Sequence, residues 1–248
     1  MRLGCFCQIE DMTALADAGY DFAETGLEVL YLSLDDDDFR RAREFLRAEP
    51  LFPEVVQAPD LLGWAMAAEG DGPPIDLRGL FRRAAMVGAK LLVVSAPGRD
   101  ALKRFSGQAQ AWRQAAESAG LLAQHAATSG LTIAITPGRA EDSLAATIEE
   151  VWVLAEEVGH PAVGVAAEVS AIEDWADVAA AGPTLRHIYL PLPGRFGGPF
   201  STEWFFEALH ALREFGYTGR ATIAADWATL APRAADLLEE IRAAVGRG

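Results

Sequence analysis

The stretch GLTIAITPGRAEDSLAATIEEVWVLAEEVGHPAVGVAAE, residues 130–168, holds one complete strand, helix, strand unit. Its two ends, Leu131–Thr136 and Ala162–Glu168, are short runs that are apolar on both faces. Strands read this way when helices cover one side and a packed interior fills the other. Between them, Ser143 is placed to cap a helix with Leu144, Ile148, Val151, Leu154 and Val158 on one stripe. Gly159 and Pro161 end that helix.

The same unit repeats in both directions. Further β-rich runs stand at Arg2–Cys7, Tyr20–Glu24, Glu54–Ala58 and Lys90–Ser95, and later at Leu185–Leu190 and Ala221–Asp226. The last helix carries Pro232 in its first turn and directs Leu230, Leu237, Ile241 and Val245 inward. Gly19, Gly88, Gly130, Gly159 and Gly216 each fall between a helix and the next strand, as C-terminal caps do. Eight strands alternating with helices in 248 residues predict an α/β fold, a closed (β/α)8 barrel forming a single domain over residues 1–248. A doubly wound open sheet is the runner-up, but it carries a glycine fingerprint after its first strand, and here that turn reads CFCQIEDM. No cofactor is expected. The longest irregular stretch, Pro59–Ile75, follows the third strand and is the lid candidate.

Charge narrows the partners. The chain has 21 basic and 36 acidic residues, a net charge of −15, and no basic stripe to displace counterions from phosphates, so nucleic acid is not expected. The run Asp35–Asp38 reads as a solvated acidic face. No apolar run approaches the ~20 residues that cross a bilayer, and acidic residues interrupt the N-terminus before a signal-like region develops. The expectation is a soluble, cytoplasmic protein without a membrane partner. Cys5 and Cys7 share one strand face, and with no further ligands at metal-binding spacing they read as core rather than redox or zinc residues.

Barrel active sites form at the C-terminal ends of strands. The polar residues there are Glu24, Gln57, Ser95, Thr136, Glu168, His187, Tyr189, Arg195 and Asp226. Glu24 is either an acceptor for a substrate hydroxyl or a rim salt-bridge partner. Glu168, an acid after five small apolar residues, favours function. His187 and Tyr189 are two apart, so both face one side of their strand. That side is either the mouth, or His187 is an ordinary core histidine. Arg195 lies in a glycine and proline loop that could aim its guanidinium at a ligand. His125, His160 and His210 fall in helices or at a helix end and read as structural.

Five segments, GYDFAET, LLVVSAPGR, LTIAITPGRAED, LRHIYLPLPGR and ALREFGYTGRATIA, resemble those of xylose isomerase-like barrels over nearly the whole chain. The tagatose 3-epimerase and hydroxypyruvate isomerase branch is most similar. The resemblance implies a site where four strands supply Glu, Asp, His and Glu to a divalent metal. The matching positions here are Thr136, Glu168, Tyr189 and Ala224. The family's substrate-binding histidine after the sixth strand is matched by Ala171. Only Glu168 could still coordinate, so no metal is expected. His187 matches the family's non-ligand histidine, Arg195 its substrate arginine, and Glu141 or Asp142 its acid after the fifth strand.

The implied function is a sugar isomerase or epimerase acting on a small polyol, ketose or keto acid without metal. Glu168, His187 and Tyr189 are the candidate catalytic residues, and Glu24, Glu141, Asp142 and Arg195 the candidate substrate contacts. The alternative is a non-catalytic barrel that binds a sugar-like ligand or a protein partner. Relatives often pair through their barrel faces, so a homodimer is compatible with the resemblance, although no residue here points to one.

Overall fold

The structure is a computed structural model describing residues 1–67, 76–138, 142–172, 182 and 184–246. Eight parallel strands close into a barrel in chain order: β1 Arg2–Phe6, β2 Phe22–Gly26, β3 Pro53–Gln57, β4 Leu91–Ser95, β5 Thr132–Thr136, β6 Val163–Glu168, β7 Leu185–Pro191 and β8 Arg220–Asp226. All eight predicted strands are present, their ends shifted by at most two residues. Helices cover the outside, the longest at Asp36–Ala48, Gln108–Thr128, Thr202–Glu214 and Ala234–Gly246. None of the described helices is long and apolar enough to cross a membrane.

The strands are apolar on both faces because they serve two cores. Outward residues such as Leu92, Val94, Ile133, Ile135, Ile188 and Leu190 pack under the helices. A separate interior cluster consists of Phe22, Val55, Leu91, Val93, Ala134 and Ala166, with Tyr189 against it. Phe22 and Leu91 fill the lower interior, so their neighbours must be small. A Cβ placed on Gly4 would lie 2.3 Å from the Phe22 ring. Gly4→Ala is therefore expected to cost on the order of 2 kcal/mol through overpacking. That corresponds to roughly 4–8 °C in Tm for a chain of this size. An unchanged thermal melt would contradict this account of the interior.

The five predicted cap glycines all adopt positive φ, from 60° at Gly159 to 101° at Gly88. At Gly88 the requirement is double, since any Cβ would also press on the Phe52 ring. Three expectations change. The helix after β5 begins at Ile148, capped by Thr147 in a reciprocal box with Glu150, while Ser143 and Leu144 lie upstream in a turn. Glu150 supplies the second half of that box, and a glutamate at the third position is what Ser143 lacks. The run Asp35–Asp38 is a helix start rather than a merely solvated face. Asp35 accepts from the backbone N–H groups of Asp37 and Asp38, and Asp36 bridges Arg82 and Arg83. In the lid candidate, Leu61–Ala67 is helical, and residues 68–75 lie outside the described ones. The side chain of Val245 also lies outside them, whereas Leu230, Leu237 and Ile241 are buried as expected.

Candidate functional site

Register irregularities occur in β1 at Cys5/Phe6, in β2 at Ala23/Glu24 and in β6 at Val165/Ala166, all toward the C-terminal half of the barrel. Such bulges re-aim side chains. There the interior changes from apolar to polar. Glu24, His187 and Thr222 form a buried layer, and Gln57, Ser95, Thr136, Glu168 and Tyr189 line the space above it.

Glu24 is the centre of the lower layer and is fully buried. Its Oε1 accepts from Gln57 Nε2 at 2.7 Å and from the Tyr189 hydroxyl at 2.8 Å. Its Oε2 lies 3.2 Å from His187 Nε2. Burial pushes the Glu24 carboxyl upward, but its hydrogen bonds with His187 and Gln57 outweigh it and hold the group below the usual carboxylate value. An ionised carboxylate only accepts, so Nε2 of His187 carries the proton. Nδ1 of His187 is buried without a hydrogen-bond partner. The His187 ring stands edge-on to Tyr189, 4.7 Å between centroids, and edge-on to Phe22 below. Glu24 is thus not a rim ion pair. It sits beneath the mouth and fixes the groups that face it.

Above this layer is a cavity of about 370 Å3, lined by Gln57, Thr136, Glu168, Ala171, Tyr189 and Ala224 among others. An adjoining lobe of about 350 Å3 shares Gln57, Tyr189 and Ala224 with it and adds Phe6 and Asp226. Glu168 is exposed to this space, and the Ser170 hydroxyl donates to its carboxylate. The cavity brings together Glu168 and Tyr189 as expected of neighbours on one rim, with His187 directly below.

Two expected contacts lie elsewhere. Arg195 pairs with Glu240 on the last helix and packs over the Phe196 and Phe206 rings, so its guanidinium is turned from the mouth. Asp142 pairs with Arg99 and lines a separate cleft beside the mouth. Glu141 lies outside the described residues. Gln57 and Asp226, noted above among the polar strand-end residues but given no role, both line this space. The parity of Gln57 with Val55, an interior position of the same strand, already aims it inward.

The cysteines stay inert. Burial pushes the Cys5 thiol far up, and Cys7 is pushed to about 12 by burial and by the neighbouring carboxylates of Asp11 and Glu10. Neither forms appreciable thiolate at neutral pH. His125 stacks on Phe81, His160 accepts from the Ala162 backbone, and His210 pairs with Glu214, all away from the mouth.

The xylose isomerase-like TIM barrel family matches residues 12–244. The chain belongs to this family. No curated protein sequence matches it significantly. Among solved structures it is similar to a D-psicose 3-epimerase of Clostridium cellulolyticum H10 bound to D-tagatose, with a TM-score of 0.77, 18% identity and 99% of each chain covered. It is also similar to the E. coli 3-keto-D-glucoside 4-epimerase YcjR, with a TM-score of 0.70, 19% identity, and 98% of this chain and 99% of that one covered. A third, the IolI protein with a bound zinc atom, gives a TM-score of 0.69 at 15% identity, covering 100% of this chain and 99% of that one. At such identities these likenesses establish the fold alone.

Within the xylose isomerase-like frame, the positions matched to metal ligands, Thr136, Glu168, Tyr189 and Ala224, all line the same cavity. The residues standing there do not fit a divalent cation. Glu168 offers one carboxylate, the Tyr189 hydroxyl is engaged by Glu24, Thr136 is a neutral hydroxyl and Ala224 a methyl group. Hard divalent ions take about six oxygen ligands, and softer ones need several nitrogen or sulfur donors. Among the described residues, no three of His, Cys, Asp and Glu cluster to hold a metal.

Proposed function

We propose that this barrel is an isomerase or epimerase of a small ketose or keto acid that moves a proton beside a carbonyl without a divalent cation. One observation carries this reading. A solvent-facing carboxylate, Glu168, shares a cavity of about 370 Å3 with Gln57 and Tyr189, two polar side chains that a buried carboxylate holds in place. Glu168 takes the proton from carbon, and Asp226, across Tyr189 in the adjoining lobe, is the second carboxyl that returns one. Gln57 spends one amide N–H on Glu24 and has a second to offer the developing oxyanion. The Tyr189 hydroxyl donates to Glu24 and therefore accepts from a substrate hydroxyl, which orients the substrate. His187, buried beneath, positions these groups through Glu24 and does not touch substrate. Fixed donors are weaker than a cation, so the proton removed must already be acidic, as it is beside a ketone.

The loss of chelating side chains at three of the four matched positions supports a second reading, a barrel that binds a sugar-like ligand or a protein partner without turning it over. Deuterium uptake from heavy water by EDTA-treated protein separates the two. Exchange into a ketose or keto acid that persists without metal is expected. Binding of those compounds with no exchange into any of them would leave only the second reading.

A further inference from the structure

A larger cleft, about 800 Å3, opens beside the mouth and shares Pro59 and Ser95 with it. It is lined by the helix Leu61–Ala67 and by the segment Ala96–Arg104 that follows β4. Trp64 lines it and leaves 40% of its surface exposed, a large ring facing open space next to a candidate active site. Asp60, Arg99, Arg104 and Asp142 line the same cleft, and Arg99 pairs with Asp142. Side chains of both signs on one wall can accept from and donate to neighbouring hydroxyls, while an indole face packs on the C–H face of a pyranose. An anion fits less well. With Asp100 the lining has three carboxylates against two guanidiniums, and the pairs Arg99–Asp142 and Lys103–Asp100 cancel on both sides, so the wall offers an anion no net positive charge.

We infer that this cleft is a second sugar-ring subsite, so that the ligand is a two-ring ketose glycoside with its reacting ring in the mouth and its other ring on Trp64. The inference rests on the mouth being a ketose site. Each lobe falls within the roughly 300–1,000 Å3 range of small-molecule pockets, and the shared Pro59 and Ser95 make them continuous.

The test is calorimetric titration with D-fructose, D-fructose 6-phosphate and four ketose disaccharides, lactulose, maltulose, turanose and palatinose. At least one disaccharide is expected to bind about tenfold more tightly than fructose, the gain one aromatic platform supplies. Trp64→Ala, checked for an unchanged fold by circular dichroism, is expected to remove that gain. The subsite is overturned if no disaccharide exceeds fructose, if Trp64→Ala weakens fructose and disaccharide by the same factor, or if only the phosphate ester gains. Tyr189→Phe distinguishes the mouth from the cleft. If it weakens fructose while no disaccharide gains, the subsite alone falls. If fructose does not bind, or is indifferent to Tyr189→Phe, the ketose reading of the mouth falls with it.

Discussion

Glu168→Gln is expected to lower the rate of deuterium exchange into substrate by about 10²–10⁴-fold, the range a positioned general base contributes. The amide keeps the size of the side chain and its contact with Ser170 but cannot take a proton. Because Glu168 faces solvent at the end of β6, the change leaves the core untouched, and the thermal melt is expected to stay within about 1 °C. Substrate affinity, followed by calorimetry, is expected to change far less than the rate. A variant that exchanges at the wild-type rate would remove Glu168 from the chemistry.

Glu24→Ala has the opposite profile. It deletes the acceptor of the Gln57 and Tyr189 hydrogen bonds and of His187 in a fully buried layer. Removing one partner of a buried, hydrogen-bonded pair costs about 3–5 kcal/mol, which lowers Tm by roughly 6–20 °C. Glu24→Gln retains one acceptor oxygen and is expected to lose less. The pH dependence follows from the lowered pKa of Glu24. Its stabilisation is fully present above the unfolded carboxylate value of 4.5 and disappears as pH falls through the lower folded value. The wild type is therefore expected to lose stability below about pH 4.5 more steeply than Glu24→Gln. Equal acid limbs, or a loss under 1 kcal/mol for Glu24→Ala, would refute the buried network.

The barrel was legible because each strand and helix announces itself locally. Runs such as LLVV and TIAI between cap glycines need no distant information, and the five glycines at positive φ bear this out. The site was only half legible. Parity put His187 and Tyr189 on one face, and the motif register put Thr136, Glu168, Tyr189 and Ala224 at one cavity. Contacts made across the barrel leave no local trace. Glu24 meets His187 and Tyr189, more than 160 residues away in sequence, so a carboxylate at a strand end read as either a substrate acceptor or a rim salt-bridge partner. The pairing of Arg195 with Glu240 on the last helix is likewise invisible in the local sequence. Trp64 stayed hidden inside a stretch whose glycines and prolines masked the helix Leu61–Ala67.

The claim on which this account stands is that the mouth works with side chains where a cation would otherwise be held. Titrating EDTA-treated protein with Mn2+ in a calorimeter tests it most directly. The account predicts no binding at up to about 100 µM, because one carboxylate is too few ligands for a divalent ion. Micromolar binding of Mn2+ that Glu168→Gln abolishes would contradict it.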